Sequence, residues 1–250
     1  MIKAVTFDLW DTIVYDDTDE PKRAARGLRS KKEERRHLVW AALDRIEPID
    51  KARVALAYDV ADTAFDKVWR EQHVTWTIAE RLRVVLNGLE RSLPEADFAA
   101  VLRAHETMEV EICPDAIEGI QEALADLSAR YKLGIVSDAI VTPGAALRTL
   151  LAQHGLEGYF SGFAFSDEVG RAKPHRAMFE SAAAQLGVGF PEMVHVGDRE
   201  SNDIKGPQAL GMKAILFTAA RDTGRDETSA DAVCERHRDL AGIVDRLAAG

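Results

Sequence analysis

The sequence is poor in cysteine and in long apolar runs, and each shortage excludes a class of protein. Its two cysteines, Cys113 and Cys234, lie far apart and outside any CxxC or Cys/His spacing, so they predict neither a disulfide framework nor a zinc site. A reducing cytoplasm therefore fits this chain best. No run of about 18 apolar residues occurs, and the first strand pattern begins almost at once, so we expect neither export nor a membrane span.

Basic residues are fewer than acidic ones. The chain has 32 Lys and Arg against 42 Asp and Glu, which gives a formal net charge of −10. Because nucleic-acid affinity rests on basic side chains that displace counterions, this balance argues against a nucleic-acid-binding protein. With 250 residues, of which 46% are hydrophobic, the chain is long enough for a full α/β core and a small second domain.

A helical pattern without strand signals occupies the region from about 35 to 108. Apolar residues recur there at helix spacing in about four groups. Ser92 and Pro94 predict the start of the last of these helices. The preceding segment, 15–36, is rich in charge and is interrupted by proline and glycine, so we predict a solvated connection there rather than a core element.

From Cys113 onward, strand patterns alternate with helix patterns, which is typical of a parallel sheet with crossover helices. Pro114 predicts the start of a helix that continues through Leu127, and a later helix is predicted around 203–210. The segments that we interpret as strands, including one near the N-terminus, are 5–7, 132–136, 162–165, 193–196, 213–217 and 232–233.

Polar side chains follow three of these strands at the point where each ends. Asp8 follows the first strand, Ser137 and Asp138 the second, and Asp198 the one at 193–196, with Asp203 five residues further on. Because parallel strands end at the same edge of a sheet, these side chains are expected to meet. Carboxylates forced together repel one another unless a cation lies among them. Oxygen ligands of this kind are what Mg²⁺ takes, together with substrate phosphate.

Four short segments carry a family resemblance. In chain order they are FDLWDT at 7–12, IVSDA at 135–139, GRAKPH at 170–175 and GDRESND at 197–203. In these motifs the sequence resembles the haloacid dehalogenase-like (HAD) hydrolase superfamily. The resemblance implies an α/β fold whose Rossmann-like parallel-sheet core, 1–16 and 110–250, carries an inserted α-helical cap domain, 17–109. It also implies phosphoryl transfer through an aspartyl-phosphate intermediate.

The resemblance further implies a role for each matching residue. Asp8 becomes the nucleophile, and Ser137 donates a hydrogen bond to the transferring phosphoryl group. Lys173 stabilises both the nucleophile and the phosphate, and Asp138 joins Ser137 and Lys173 in binding the substrate. The implied ligands of a Mg²⁺ ion are Asp8, the backbone carbonyl of Trp10, Asp198 and Asp203.

The sequence departs from the family pattern at Trp10. Phosphatases of this superfamily usually carry a second Asp there, which protonates the leaving alcohol and then activates water. An indole can do neither, and such acid–base help is worth roughly 10²–10⁴-fold in rate. Asp11 is the nearest candidate to replace it and Asp138 is another. The alternative for Asp11 is a side chain that hydrogen-bonds its own turn.

Three functions stay open at this point, and we favour Mg²⁺-dependent hydrolysis of a small phosphorylated metabolite. The main alternative is a metal-independent 2-haloacid dehalogenase, because those enzymes also carry an aromatic residue two positions after the nucleophile. The third is a non-catalytic protein that binds a phosphorylated ligand. Basic residues at Lys22, Arg23 and Arg26 could reach a second anionic group of a substrate, although a solvated face is the simpler interpretation.

Overall fold

A single parallel sheet forms the centre of the computed structural model, which describes residues 1–249. Its strands are β1 (Ala4–Phe7), β2 (Lys132–Ser137), β3 (Gly162–Phe165), β4 (Met193–Gly197), β5 (Lys213–Phe217) and β6 (Ala232–Cys234). All five pairings are parallel and the order is β3-β2-β1-β4-β5-β6. This is the strand order of the Rossmann fold. The predicted α/β class is confirmed, and the predicted strand bounds differ by at most one residue at either end.

Helices follow or connect these strands. Their bounds are α1 (Asp19–Ala25), α2 (Lys31–Asp44), α3 (Lys51–Gln72), α4 (Ile78–Gly88), α5 (Glu95–Glu106), α6 (Met108–Glu111), α7 (Ile120–Ser128), α8 (Gly144–Gln153), α9 (Ser166–Val169), α10 (Arg176–Leu186), α11 (Gly206–Ala209) and α12 (His237–Ala249). No helix within 1–249 is both long and apolar enough to cross a membrane. The cytoplasmic location stays a prediction.

The sheet is covered on both faces, which is why its strands are predominantly apolar. Side chains of α7, α8 and α12 pack on one face in the main hydrophobic cluster, and α10 packs on the other. All four residues of β1 are buried between β2 and β4. The first strand is therefore at the centre of the molecule, and the residue that follows it is held rigidly.

Helices α2 to α5 pack mainly on one another. Their apolar faces form a separate hydrophobic cluster that includes Val39, Leu43, Tyr58 and Leu82. Side-chain caps begin three of these helices, at Ser30, Asp50 and Thr77, and satisfy backbone N–H groups that a helix start leaves free. The four predicted helices are present. The exact limits of the cap domain, 17–109, stay a prediction.

The prediction of a solvated connection at 15–36 was wrong. This segment contains α1 and the start of α2, and Asp19, Arg23 and Lys31 are buried within it. Lys31 Nζ lies 2.9 Å from Asp19 Oδ1 and 3.0 Å from Glu109 Oε1. Charge composition misled the prediction, because oppositely charged side chains can enter the interior when they pair with one another.

The helix predicted from Pro114 begins only at Ile120. The segment before it pairs instead with the loop after β1, where Ile117 N donates to Ile13 O at 2.9 Å and Tyr15 N donates to Asp115 O at 3.0 Å. The helix predicted around 203–210 also differs, since a π-helical turn (Glu200–Lys205) precedes the short α11. At 114–119, long-range backbone pairing overrides the local helix signal.

Candidate active site

Three neighbouring strands, β2, β1 and β4, end beside one another at the carboxyl edge of the sheet. Phe7 is aligned with Ile135 on one side and with Val196 on the other. Asp8 N then donates to Val196 O at 2.9 Å, so the backbone pairing continues into the residue that follows β1. The register therefore brings the strand-end side chains to the same level, as the sequence predicted.

Lys173 forms ion pairs with both Asp8 and Asp203. Its Nζ lies 2.7 Å from Asp8 Oδ1 and 2.7 Å from Asp203 Oδ1, and all three side chains are buried. Burial opposes the charge of Lys173, but the facing carboxylates of Asp203 and Asp8 raise its pKa above the ordinary value. The ammonium group is therefore a fixed positive charge beside Asp8.

Asp203 is held by several donors at once. Its Oδ1 also lies 3.2 Å from His195 Nε2, and its Oδ2 accepts a hydrogen bond from Arg199 N at 3.0 Å. Burial alone raises the pKa of Asp203, but Lys173 and His195 overcome that effect and hold it below the usual range. Because both carboxylate oxygens are engaged, Asp203 is rigidly positioned.

His195 is a site residue that the sequence interpretation missed. Its Nδ1 lies 2.9 Å from Thr6 Oγ1, so it links β1 to Asp203 through the middle of the sheet. Burial lowers the pKa of His195, although Asp203 opposes this shift. The sequence offered one signal, which was a lone histidine in the apolar run MVHVG, two residues before Gly197 and Asp198.

Asp198 is the least satisfied carboxylate of the cluster. It is 2% exposed, and both its oxygens are buried without a hydrogen-bond partner in residues 1–249. Arg221 Nη1 and Arg199 Nε lie 3.5 and 3.8 Å from its Oδ2 without making a hydrogen bond. Burial raises the pKa of Asp198 to about 7, and repulsion from Asp8 and Asp203 adds to this effect.

These carboxylates fit a divalent cation. Asp8, Asp198 and Asp203 each offer one oxygen, and these oxygens lie within 4.8 Å of one another. Hard cations take oxygen ligands of this kind, and the two unpartnered oxygens of Asp198 are what such an ion would satisfy. The cluster can therefore hold a metal ion.

The second strand contributes Ser137 and Asp138. Ser137 is fully buried, and its Oγ has no hydrogen-bond partner among the described residues. Asp138 Oδ1 accepts a hydrogen bond from Lys173 N at 2.9 Å, which ties the lysine loop to the end of β2. Burial raises the pKa of Asp138 to about 6, although Lys173 opposes the shift.

A cavity of about 210 Å³ lies between the sheet edge and the helices inserted after β1. Residues from both sides line it, among them Asp8, Trp10, Asp16, Lys31, Arg35, Trp69, Asp138, Ile140, Lys173 and Asn202. Arg81 Nη1 donates to Ile140 O at 2.7 Å, and Ala172 N donates to His73 O at 2.8 Å, so α4 and the residue that follows α3 are hydrogen-bonded to the loops after β2 and α9. The cavity is therefore lined both by the sheet edge and by the inserted helices.

Trp10 and Asp11 turn the chain just after Asp8. The Trp10 side chain lines the cavity and packs against the main hydrophobic cluster. Asp11 has a φ of 53°, and its Oδ1 accepts a hydrogen bond from Asp16 N at 3.2 Å. Asp11 is not among the residues that line the cavity. Its carboxylate therefore caps its own turn, which is the alternative that the sequence left open for it.

Arg35 is a second residue that the sequence interpretation missed. It lines the cavity, its Nε is buried without a hydrogen-bond partner, and no carboxylate of residues 1–249 forms an ion pair with it. Burial lowers the pKa of Arg35. Lys22 and Arg23, by contrast, donate to Asp115 and to Arg29 O, and neither lines the cavity. The SKKEERR run offered no means of telling which of its cations faces inward.

Comparisons with known proteins agree with this geometry. The chain is 32% identical to a glyceraldehyde 3-phosphate phosphatase of Methanocaldococcus jannaschii and 28% identical to one of Methanopyrus kandleri, with 99% of each chain covered in both cases. Its fold is similar to that of a 2-haloacid dehalogenase of Pseudomonas syringae pv. Tomato, with a TM-score of 0.69 and 24% identity over 99% of this chain and all of that one. The family model for haloacid dehalogenase-like hydrolases matches residues 2–211, and the chain belongs to this family of enzymes.

Proposed function

We propose that this enzyme is a Mg²⁺-dependent phosphatase that hydrolyses a small phosphorylated metabolite through a phosphorylated Asp8. The observation that carries the proposal is the buried trio of Asp8, Asp198 and Asp203 beside Lys173, with both oxygens of Asp198 unpartnered. A dehalogenase that works without metal has no use for an unsatisfied buried carboxylate at this point. The full-length relatives named phosphatases support the same substrate class.

Asp8, Asp198 and Asp203 would hold the ion, together with the backbone carbonyl of Trp10. When bound, Mg²⁺ supplies positive charge that offsets the repulsion between a phosphate group and the carboxylates. Mg²⁺ is the ion we propose because its usual protein sites offer one or two carboxylates and leave room for substrate phosphate.

The remaining side chains divide the other tasks. Lys173 holds Asp8 at 2.7 Å and presents its charge to the phosphoryl oxygens. Ser137 Oγ, which lacks a partner, donates a hydrogen bond to one of those oxygens. Asp138 fixes the lysine loop through Lys173 N. Phosphoryl transfer needs little covalent chemistry from the protein, so positioning and charge account for most of the catalysis.

Arg35 faces the part of the substrate that does not react. Its guanidinium lines the cavity and forms no ion pair with the described residues. This planar group has five N–H donors, so it can bind a carboxylate, a phosphate or several hydroxyls of a substrate. We propose that α2 to α5, within a cap at 17–109, select the substrate in this way.

The test measures phosphate release from p-nitrophenyl phosphate and from a panel of phosphometabolites that includes glyceraldehyde 3-phosphate and phosphoglycolate. Each reaction is run with Mg²⁺ and with EDTA, beside halide release from a 2-haloacid panel. We expect phosphate release that EDTA abolishes and that Asp8→Asn abolishes. The matched control is Asp66→Asn, because Asp66 is an exposed residue on α3 whose ion pair within residues 1–249 is with Arg70.

Two other results identify the alternatives. Halide release that is insensitive to EDTA would show a dehalogenase, the function favoured by the indole of Trp10 in the cavity. No turnover of either panel, with binding of phosphate esters retained in calorimetry, would show a binding protein. Either result contradicts the phosphatase proposal.

A further inference from the structure

The proposed reaction leaves one task without a residue. In an in-line transfer the leaving oxygen lies on the far side of phosphorus from Asp8, within the cavity. An alkoxide leaves slowly unless a proton reaches it, and a group that gives this proton can later take one from the attacking water. Trp10 can do neither, so the donor must be sought elsewhere on the cavity wall.

Asp16 is a carboxylate on that wall with nothing in the described chain bound to it. It lines the cavity together with Asp8 and Trp10, and its carboxylate oxygens make no hydrogen bond or ion pair within residues 1–249. Its backbone is fixed nonetheless, since Asp16 N donates to Asp11 Oδ1 at 3.2 Å and Lys31 Nζ donates to Asp16 O at 3.4 Å. The charged groups that act on Asp16 are Asp17, Asp11, Glu109, Lys31 and Arg199.

The surroundings of Asp16 suit a proton donor. Burial raises its pKa to about 6, and the neighbouring carboxylates of Asp17 and Asp11 add to the shift. Acid–base groups work best when their pKa lies close to the working pH. Asp16 therefore holds a proton in a useful fraction of molecules and releases it readily.

We propose that Asp16 is the general acid and general base of this site, in place of the side chain that Trp10 cannot supply; the assignment rests on the phosphatase function proposed above. In the first step an Asp8 oxygen bonds to phosphorus, and the bond from phosphorus to the leaving oxygen breaks. That oxygen keeps the electron pair and takes the proton of Asp16. In the second step the Asp16 carboxylate takes a proton from water, whose oxygen bonds to phosphorus. The Asp8–phosphorus bond then breaks, and its electrons return to the Asp8 carboxylate.

The two other carboxylates near the turn are less suitable. Asp11 caps its own turn through Oδ1 and does not line the cavity. Asp138 does line it, but its Oδ1 is engaged by Lys173 N, and the charges that act on it are those of Lys173, Asp8 and Asp203. Asp138 is therefore held beside the nucleophile and its lysine, whereas Asp16 lines the cavity with both carboxylate oxygens unengaged by residues 1–249.

The test compares wild type with Asp16→Asn on two kinds of ester. With the best alkyl phosphate of the panel, we expect kcat to fall by roughly 10²–10⁴-fold, because the alkoxide then leaves unprotonated. With p-nitrophenyl phosphate, whose leaving anion needs no proton, we expect a burst of one equivalent of p-nitrophenol followed by slow turnover. The burst reports the phosphorylated Asp8, which waits for a base to activate water.

Matched variants separate this role from a change of local charge. Asp17→Asn removes an adjacent exposed charge that helps to raise the pKa of Asp16 but leaves the Asp16 carboxylate in place, so we expect a shifted pH profile, no burst and the wild-type dependence on leaving group. Asp11→Asn and Asp138→Asn are measured in parallel. A burst in one of those variants and not in Asp16→Asn would assign the role to that residue and overturn the proposal. Circular dichroism checks that each variant is folded, and Asp16→Ser repeats the test if Asp16→Asn is not.

Failure of this assignment is distinguishable from failure of the phosphatase function. Phosphatase activity in wild type, together with wild-type kinetics on both esters in Asp16→Asn, would refute the role of Asp16 alone. An equal loss on both esters without a burst would also refute it. A wild-type enzyme that releases no phosphate from any ester would refute both proposals together.

Discussion

Replacing Lys173 with methionine tests whether the lysine compensates the buried carboxylates. Lys173 Nζ lies 2.7 Å from oxygens of both Asp8 and Asp203, and the lysine is 4% exposed. Methionine keeps an unbranched apolar chain of similar length, so the change removes mainly the charge. Removal of one member of a buried ion pair costs about 3–5 kcal/mol, because the remaining charge stays buried without compensation.

We therefore expect the free energy of unfolding of the metal-free protein to fall by about 3–5 kcal/mol. For a chain of this length, that loss lowers the melting temperature by roughly 6–20 °C. The measurement is urea unfolding at neutral pH with EDTA present, followed by circular dichroism. Lys205→Met is the matched control: Lys205 is 66% exposed and lies 3.8 Å from Glu200, so its removal should cost less than about 1 kcal/mol.

A double variant shows where the cost arises. Adding Asp203→Asn to Lys173→Met removes one of the two uncompensated charges, so we expect part of the lost stability to return. A Lys173→Met protein as stable as the Lys205→Met control would refute the reasoning. So would a double variant less stable than the sum of its single changes predicts.

Two further predictions concern the helical side of the molecule. Arg35→Met should raise KM for the best substrate roughly 10- to 150-fold with little change in kcat, because a charged hydrogen bond worth about 1.5–3 kcal/mol is lost. The control is the same substitution at the exposed Arg26. An unchanged KM in Arg35→Met would contradict this role. His105, whose pKa burial lowers to about 4, is neutral in the folded protein, so the unfolded chain binds more protons between pH 6.5 and 4. The free energy of unfolding should therefore fall as the pH falls through that window, and His105 should account for about 2 kcal/mol of the loss between pH 7 and 5. Urea unfolding at several pH values measures this dependence, and His105→Gln should lack the share that His105 contributes. An unchanged dependence of stability on pH in His105→Gln would contradict the assignment.

The parallel sheet and its polar edge could be predicted because both depend on local sequence. A short apolar run that ends in Asp, repeated at Asp8 and Asp198, places its carboxylates at the same sheet edge whatever lies between them. The register of β1 with β4 then determines their separation. The end of the helix at Leu186 could also be predicted from local sequence, because Gly187 has a φ of 65° and forms the left-handed cap of that helix.

Features that depend on contacts between distant segments could not be predicted. Lys31 lies in a charged run typical of a solvated face, and it is buried only because Asp19 and Glu109 meet it. Glu109 is 78 residues away along the chain. His195 and Arg35 were missed for the same reason, since their roles come from Asp203 and from the cavity rather than from their sequence neighbours.

Trp10 separates two tasks that the usual aspartate of this position performs together. A backbone carbonyl is present whatever the side chain, so an indole leaves the proposed metal ligand intact while it removes the acid. Metal binding and proton transfer are therefore independent questions in this enzyme. Asp8→Asn and EDTA test the first, whereas Asp16→Asn tests the second without touching any proposed ligand of the ion. The turn that brings Asp16 N onto Asp11 Oδ1 also sets the position of the proposed acid, so Asp11 would act on catalysis through the backbone it caps.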